Sequence, residues 1–546
     1  MRKKISAILV EHFRKWGITD VFGIPGKAVV PLLFEIQNQE VNYILSRHEC
    51  GAGYEAAGYA LTKKTLGVAI GTSGPGGSNM ITAAGQAKAY HLPVLFLTGH
   101  PPIHSTGTAQ GQDSSPFGTD LVKLFEPVTL FSARVDRPEL FPIYLRHAIE
   151  KAMTGTKGPV HLCIPFDVYL EEIESFYLPL PSNALPVISP DVEQVIPMLD
   201  NAKKPVLFLG KGAGIADAYD EVRILAEHWN IPVMTTPCGK GAFPTVHPLS
   251  LGGFGLGGTE RASDYLRSGV DLMIVVGTKL SDMSLAGFTP EMHPEQIIQF
   301  DIDSTFTGKS VPVPTKLVLG DAKLNLQIII ARAGATAKDH GVALSSLATN
   351  HSVESDMLTS ERAVKSLRAH LPEDTIMFGD DGSHTFFAVR HYDIYEPGTF
   401  YFDDVFGAMG HAIGYAIGAK LGNPDKPVVC LTGDGCALMG GTEFATAANH
   451  NIPVIFVVLN NGQLDMVEKG MAHFTGRSVG TIYDIPVNIT QFAQSMGLSS
   501  YTCHSEDDIA DAVKQSLASE RASVIEVIVD PKEVPPILSR ALTNAF

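Results

Sequence analysis

The sequence predicts an α/β protein made of three consecutive doubly wound domains, each with a parallel sheet. Short β-branched apolar runs without polar alternation, typical of buried parallel strands, alternate with helical patterns along the chain. This alternation of strand and helix signals predicts sheets with helices on both faces. The chain has 546 residues, enough for about three or four domains of ~150 residues each. Two polar segments divide the series into three parts.

The first part, residues 1–172, is expected to form one such domain. A helix of small residues, 51–61, follows its second strand, and residues 178–190 contain Pro and Ser, which indicates an exposed linker. The expected strands lie near 18–23, 41–45, 66–70, 93–98 and 159–164.

The central part is expected over residues 188–335, and a Gly- and Ala-containing polar segment to about residue 354 indicates a second linker. Its expected strands lie near 205–209, 231–235, 272–276 and 296–300.

The third part, residues 355–535, carries the most informative motifs. An Ala-rich helix is expected over 439–450, between two buried strands. The expected strands lie near 375–378, 428–431, 453–459 and 523–529.

Composition excludes several classes of protein. With 45% hydrophobic and 18% charged residues, the chain is expected to be globular and well cored. Its formal charge of −17 argues against nucleic acid or an anionic membrane as a partner. The six cysteines show no CxxC spacing, so neither a zinc site nor a disulfide framework is indicated. No apolar stretch is long enough for a signal peptide or a membrane span, and a cytoplasmic protein is expected.

Two polar motifs follow neighbouring strands of the third part. Gly433-Asp434-Gly435 ends one apolar run, and Asn461 follows the next, 27 residues after Asp434. Parallel strands bring such residues to the same sheet edge, where ligands bind. Carboxylate and amide oxygens suit Mg²⁺ with substrate phosphates, and the glycines let the backbone approach a phosphate. Either motif alone is an ordinary strand-to-loop turn; together they predict a metal and diphosphate site.

Glu49 lies at the end of a strand of the first part, just before the helix of small residues. In apolar surroundings its carboxyl would have a raised pKa and could share a proton with a ring nitrogen. The alternative is an exposed acid at a helix start, favoured by the helix dipole.

The sequence segments around these residues resemble those of a known protein family. The stretches 47–53 and 72–79 closely resemble the first domain of acetolactate synthases, and the Asp434/Asn461 pair resembles the metal and diphosphate signature of thiamine diphosphate (ThDP) enzymes. The resemblance covers nearly the whole chain and implies pyrimidine-binding, central and diphosphate-binding domains. It also implies that Glu49 hydrogen-bonds the cofactor's aminopyrimidine across a subunit interface, so that a homodimer or homotetramer is expected.

The same resemblance implies a cofactor-binding set. His384 and backbone amides would contact the diphosphate, and Met409 would bend the cofactor, although a lone Met is otherwise core filling. Mg²⁺ would be held by Asp434, Asn461 and the backbone carbonyl of Gln463. Cys436 stands where Ser is usual. The full set is Gly26, Gly382, Ser383, His384, Gly407, Met409, Gly433, Asp434, Gly435, Cys436 and Asn461.

The implied reaction is decarboxylation of a 2-oxo acid, with pyruvate as the expected donor, and transfer of the acyl carbanion to a carbonyl acceptor. Gln112 matches a glutamine at the reacting centre of acetolactate synthases, and the adjacent histidine pair of simple decarboxylases is absent from this stretch. Alternatives are a non-ligating 2-oxo acid decarboxylase or a 2-hydroxyacyl lyase on the same scaffold, and a catalytically idle nucleotide-binding homologue.

Besides Cys436, four positions expected near the substrate depart from the family pattern. Gly111 replaces a phenylalanine, Met283 an arginine, Gly470 a tryptophan and Lys27 a glycine. Losing the arginine removes a bidentate carboxylate grip, and losing the aromatics widens the pocket. An acceptor that is larger or lacks a carboxylate is therefore predicted. Lys27 is either a cation near the donor carboxylate or a solvated loop lysine.

The resemblance implies a non-redox FAD in the central domain, but the residues there leave both FAD binding and its absence as alternatives. Its glycine loop follows a strand, but no acid appears about 20 residues later for a ribose. Lys279 stands where the family has an arginine. The residues that fit the flavin pattern are Gly210, Gly212, Gly277, Asp301 and Asp321.

Overall fold

Three six-stranded sheets organise the chain, and within each of them every strand pairing is parallel. The computed structural model describes residues 1–181, 187–334 and 355–538. The α/β fold class with three parallel sheets is therefore confirmed. Most of the linker expected before residue 354 lies outside the described residues. None of the helices in the described ranges is long and apolar enough to cross a membrane.

The N-terminal sheet has the strand order β3-β2-β4-β5-β7-β6. A separate antiparallel pair, β1 with β8, joins the start and the end of this domain. Its strands are β1 Arg2–Lys4, β2 Asp20–Gly23, β3 Asn42–Leu45, β4 Gly67–Gly71, β5 Val94–His100, β6 Ser132–Arg134, β7 Val160–Pro165 and β8 Glu172–Glu174. Its helices are α1 Ile5–Lys15, α2 Val30–Asn38, α3 Glu49–Lys63, α4 Pro75–Ser78, α5 Ile81–Tyr90, α6 Leu121–Phe125, α7 Phe141–Met153 and α8 Phe166–Leu170.

The central sheet has a different order, β11-β10-β9-β12-β13-β14. The chain enters this sheet at β9, adds β10 and β11 on one side, and then crosses back to add the remaining three strands on the other side. This is the order of dinucleotide-binding folds. Its strands are β9 Pro205–Leu209, β10 Val233–Thr235, β11 Ser250–Gly253, β12 Leu272–Val276, β13 Gln296–Asp301 and β14 Thr315–Leu319. Its helices are α9 Ile196–Asn201, α10 Lys211–Ile215, α11 Tyr219–His228, α12 Glu260–Arg267 and α13 Ala322–Arg332.

The C-terminal sheet, ordered β16-β15-β17-β18-β20-β19, repeats the order of the N-terminal sheet. Its strands are β15 Ile376–Gly379, β16 Phe400–Phe402, β17 Val428–Gly433, β18 Val454–Asn460, β19 Ser499–Cys503 and β20 Ser523–Ile528. Its helices are α14 Ser360–His370, α15 Ser383–His391, α16 His411–Gly422, α17 Asp434–Gly440, α18 Phe444–Asn449, α19 Asp465–Thr475, α20 Ile489–Ser495 and α21 Glu506–Ser519.

The single helix expected over 439–450 is wrong in its bounds. The structure has two helices there, α17 and α18, separated by a 3₁₀ turn, Gly441–Glu443. A Cβ built on Gly440 would lie 2.6 Å from the carbonyl oxygen of Gly410, so the backbones approach closely where the first helix ends. The sequence analysis also missed the edge strands β6 and β19, whose polar residues carry little strand signal, and the edge strand β16, which is aromatic but only three residues long.

A helix crossing with very short contacts joins the N-terminal and C-terminal domains. Helix α3 packs against α16, and glycines on both helices allow the approach. A Cβ on Gly418 would lie 1.7 Å from the carbonyl oxygen of Glu55, and one on Gly58 would lie 2.0 Å from that of Tyr415. Only residues without a Cβ fit at this separation. The crossing fixes the helix that begins with Glu49 against the C-terminal domain of the same chain.

Candidate functional site

A cavity of about 210 Å³ opens at the carboxyl edge of the C-terminal sheet. It lies where β15, β17 and β18 end, as expected for ligand sites in open α/β sheets. The residues that line it include Asp381, Gly382, Ser383, His384, Met409, Gly433, Asp434, Gly435, Cys436, Asn461, Gln463, Leu464, Asp465 and Met466. Ten members of the predicted cofactor and metal set are among them.

Asp434 begins helix α17 and is 5% exposed. Its Oδ1 accepts a hydrogen bond from the Gly435 amide and its Oδ2 one from the Gly462 amide, both at 2.9 Å. Burial raises the pKa of Asp434 to about 6 in spite of these bonds. A buried carboxylate bound only by amides is a site that a hard divalent cation would stabilise.

The neighbouring asparagines have different roles. Asn460 donates through Nδ2 to Glu526 at 2.7 Å and to the Val487 carbonyl at 3.1 Å, so its side chain holds the loop together. Asn461 instead lines the cavity with Asp434 and Gln463. The structure thus brings the three predicted metal ligands to one place.

His384 shows an unsatisfied buried polar group at the cavity. Its Nε2 has no hydrogen-bond partner among the described residues, although the side chain is only 7% exposed. Burial lowers the pKa of His384 to about 4, so the imidazole is neutral. A Cβ on Gly433 would lie 2.9 Å from the ring, and one on Gly382 would lie 2.7 Å from it. A ligand with hydrogen-bonding oxygens would satisfy this nitrogen.

The thiol of Cys436 forms a hydrogen bond within the protein. Its Sγ donates to the Asp381 carbonyl at 3.2 Å, and burial raises the pKa of the thiol well above its usual value. The side chain therefore stays neutral, which agrees with the expectation that no hydroxyl contact is offered here.

The loop 403–410 places Met409 in the cavity and is anchored at both ends. Asp380, fully buried, accepts from the Gly410 amide at 2.9 Å and pairs with His411 at 3.3 Å. Burial alone would raise the pKa of Asp380, but the hydrogen bond and charge of His411 hold it below its usual value. Gly407, with φ +72°, adopts the left-handed backbone that favours glycine.

The other end of this loop joins all three domains. Asp403, 1% exposed, accepts from Gln86 of the N-terminal domain at 2.8 Å and from Lys211 of the central domain at 3.3 Å. The next residue, Asp404, accepts from the Cys238 thiol at 2.7 Å. The sequence analysis did not find these anchors, because their partners lie far away in the sequence.

Glu49 lies at the carboxyl edge of the N-terminal sheet, as the first residue of α3, and is 8% exposed. Asn79 donates through Nδ2 to its Oε2 at 2.9 Å. Asn79 closes the stretch 72–79, and the sequence alone does not predict this contact. The simpler alternative of an exposed helix-start acid is therefore not what the structure shows.

Gly26 and Gln112 approach the loop that contains Asn79. A Cβ on Gly26 would lie 2.4 Å from that of Thr72, and Gln112, with φ +55°, lies next to Gly74. Of the described residues that line the cavity, however, neither Gln112 nor Glu49 is one.

Of the positions that depart from the family pattern, the two glycines leave open space around them. A Cβ on Gly111 or Gly470 would meet no atom within 4 Å. Met283 packs beside the apolar core of the C-terminal domain, and Lys27 is exposed.

In the central domain, the glycine loop is packed by its own backbone. A Cβ on Gly210 would lie 2.4 Å from the Gly277 carbonyl oxygen, and one on Gly212 would lie 2.6 Å from the Gly277 Cα. Asp321 accepts from the Leu324 amide at 2.9 Å as the N-cap of α13. Protein contacts within the domain thus account for these residues.

Comparison with protein families gives three matches in chain order. Residues 3–121 match the N-terminal TPP binding domain of thiamine pyrophosphate enzymes, residues 192–329 match their central domain, and residues 380–527 match their C-terminal TPP binding domain.

Curated relatives match over almost the whole chain. The probable acetolactate synthase large subunit of Methanocaldococcus jannaschii is 32% identical over 98% of this chain and 93% of its own length. The acetolactate synthase large subunit of Corynebacterium glutamicum is also 32% identical, over 96% of this chain and 87% of its own. Acetolactate synthase isozyme 1 large subunit of Escherichia coli is 30% identical over 98% and 97%.

Proposed function

The chain belongs to the acetolactate synthase large-subunit family of thiamine pyrophosphate enzymes, and from this premise we propose that it decarboxylates a 2-oxo acid and transfers the acyl group to a carbonyl acceptor. It is a ThDP-dependent carboligase that acts on small molecules. The proposed donor is pyruvate. The observation that carries the proposal is the cavity in which Asp434 and Asn461 meet the unpaired Nε2 of His384.

The cavity residues fit the diphosphate end of ThDP and a Mg²⁺ ion. In the proposal, Asp434, Asn461 and the Gln463 carbonyl hold the metal, while His384, Ser383 and the amides after Gly433 hold the diphosphate. The buried Asp434 carboxylate, which accepts only from backbone amides, supports a nearby cation, and the His384 nitrogen, unpaired among the described residues, supports an oxygen-rich ligand. When bound, ThDP accepts the electron pair that the 2-oxo acid releases with CO₂.

Glu49 is the proposed acid of the site. Its carboxyl would hydrogen-bond the cofactor's pyrimidine ring and exchange a proton with it, and the hydrogen bond from Asn79 fixes its Oε2 in one orientation. Met409 orients the cofactor by packing, since it lines the cavity on an anchored loop. Gln112 is proposed to contact the substrate.

We propose a homodimer, or a dimer of dimers, in which Glu49 of one chain completes the cavity of another. Glu49 and Gln112 do not belong to the described lining of the cavity in their own chain. Helix α19, which follows the metal site, has no buried residue, and its Val467 and Phe474 are 48% and 47% exposed. A second copy of the chain would cover this apolar surface.

The proposed acceptor is larger than pyruvate or lacks a carboxylate. Open space at Gly111 and Gly470 and the packed thioether of Met283 support this choice, because none of the three offers a charged grip. FAD remains an open prediction, which the visible absorbance spectrum of the purified protein decides.

Product analysis tests the proposed reaction. The protein is incubated with ThDP, Mg²⁺ and a panel of 2-oxo acids, with and without aldehyde or ketone acceptors, and the products are identified by mass. We expect a ligation product that requires an added acceptor. Free aldehyde alone would identify a non-ligating decarboxylase, and efficient acetolactate formation from pyruvate alone would rule out the proposed acceptor class. No turnover with any 2-oxo acid would contradict the function itself.

A further inference from the structure

Behind Glu49 lies a buried pair of carboxyl groups that the proposed reaction does not use. Glu443, 2% exposed, comes from the C-terminal domain, and Glu55, fully buried, comes from helix α3 of the N-terminal domain. Both carboxyl groups bind the same short segment, residues 46–48: Glu55 accepts from the Ser46 hydroxyl, and Glu443 accepts from the backbone amides of the next two residues. Two neighbouring acids in a buried site cannot both be ionised without a large penalty.

Glu443 binds the backbone just before Glu49. Its Oε1 accepts from the His48 amide at 2.9 Å, and its Oε2 accepts from the Arg47 amide at 3.0 Å and from the Thr446 hydroxyl at 2.5 Å. A side chain that accepts from several N–H and O–H groups is stabilised as a carboxylate. It also lies at the positive end of the α3 dipole, which favours the negative charge.

Gly51 makes room for this carboxylate. A Cβ at that position would lie 2.1 Å from Glu443 Oε1, so the glycine one turn into the helix allows the acid to reach the amides. The C-terminal domain also binds the backbone a little earlier in the chain, because His450 Nε2 accepts from the Leu45 amide at 2.9 Å. The segment that ends in Glu49 is thus held by the C-terminal domain of its own chain.

Glu55 is the partner that carries the proton. Its Oε2 accepts from the Ser46 hydroxyl at 2.6 Å, while Oε1 is buried and has no hydrogen-bond partner among the described residues. Burial, and then the charge of Glu443, raise the pKa of Glu55 well above its usual value. As a neutral acid, Glu55 can donate to the Glu443 carboxylate.

We propose that Glu443 is a positioning residue for Glu49, and that Glu55 supplies the proton that lets the Glu443 carboxylate stay in this buried place. The proposal rests on the proposed role of Glu49. Ionisation of Glu55 at high pH would put two negative charges side by side and loosen the start of α3. The other titratable groups that interact with the pair are Arg47, Tyr43 and Cys50. Glu49 lies near Tyr43, and His450 lies near Arg47.

The sign of the pH effect follows from the raised pKa. An acid whose pKa is raised by folding stabilises the folded arrangement at low pH, and this contribution is lost as pH rises through the folded-state value. The alkaline limb of the rate profile should therefore contain the ionisation of Glu55, and Glu55→Gln, which cannot ionise, should move that limb to higher pH.

Besides Glu55→Gln, three variants test the proposal with pyruvate as the donor. In Glu443→Gln one of the two acceptor oxygens becomes an NH₂ group, which cannot accept from a backbone amide, and we expect kcat for CO₂ release to fall about 10- to 100-fold, as for a misplaced catalytic group. The Kd for ThDP with Mg²⁺, measured by calorimetry, should not change. Glu443→Asp should recover part of the loss. Asp271→Asn is the matched control, because Asp271 also accepts from two consecutive amides, those of Lys203 and Lys204, but far from Glu49.

The outcomes separate this proposal from the function on which it rests. Wild-type kcat in Glu443→Gln, or the same loss in Asp271→Asn, overturns the positioning role. An unchanged alkaline limb in Glu55→Gln overturns the role of Glu55, and this test holds even when Glu443→Gln does not fold. Full turnover in Glu49→Gln would overturn the proposed function instead.

Discussion

The N-terminal and C-terminal sheets have the same strand order but offer different chemistry at their carboxyl edges. The C-terminal edge gathers Asp434, Asn461 and His384 around a cavity. The N-terminal edge presents one acid, Glu49, oriented by Asn79. The fold therefore supplies two equivalent edges, and in our proposal the residues after the strands make one an anion and metal site and the other a proton site. If this division is right, each edge can be disabled while the other keeps its function.

The largest expected effect comes from the proton edge. Glu49→Gln keeps the size of the side chain but cannot release a proton, so we expect kcat to fall about 10²- to 10⁴-fold, the usual contribution of a general acid or base. Calorimetry should show an unchanged Kd for ThDP with Mg²⁺, because the diphosphate end is untouched. Asn79→Ser, which weakens the hydrogen bond to Glu49, should give a smaller loss. Loss of cofactor binding in Glu49→Gln would contradict the division between the edges.

The metal edge should show the reverse pattern. Asp434→Asn removes a charged oxygen ligand, and we expect the Kd for ThDP at fixed Mg²⁺ to rise by at least about 10- to 100-fold. Raising the Mg²⁺ concentration should recover part of the binding. Asp484→Asn, an exposed acid on the neighbouring loop, is the control and should change nothing. Unaltered Mg²⁺ dependence in Asp434→Asn would remove Asp434 from the metal site.

A smaller effect is expected where the central domain supports the C-terminal edge. Lys211→Met leaves the buried Asp403 without its cation, which should lower the free energy of unfolding by about 1–3 kcal/mol and make the Met409 loop less ordered. The control is Lys64→Met, which breaks the exposed ion pair with Asp217 and should cost less than about 1 kcal/mol. Thermal unfolding of both variants compares them, and equal midpoints would mean that the buried pair is no anchor.

The smallest effect concerns one hydrogen bond. Cys436→Ser restores a hydroxyl beside the diphosphate site, and a neutral hydrogen bond worth about 0.5–1.5 kcal/mol should lower the Kd for ThDP by about 2- to 10-fold. Cys503→Ser, at a buried cysteine that ends strand β19, should leave the Kd unchanged. Weaker ThDP binding in Cys436→Ser would show that the thiol bond to the Asp381 carbonyl matters more.

The sequence was informative where local patterns carry the signal. Buried strands such as β12 were predicted from apolar runs, and Asp434 and Asn461 from their places after two strands. It was not informative for contacts between distant segments. His48 and Glu443 are 395 residues apart, so no local pattern announces their hydrogen bond. Edge strands were missed because they are defined by pairing rather than by apolar composition.

The glycine crossing between α3 and α16 gives the chain a mechanical property. In the proposed dimer, Glu49 serves one reaction centre while the metal edge of the same chain serves the other. The crossing then connects two reaction centres rigidly. Binding of the cofactor at the metal edge of one chain would therefore affect the position of the Glu49 that serves the other centre. A bulkier residue at Gly418 should therefore disturb both centres of a mixed dimer, although only one of its chains is altered.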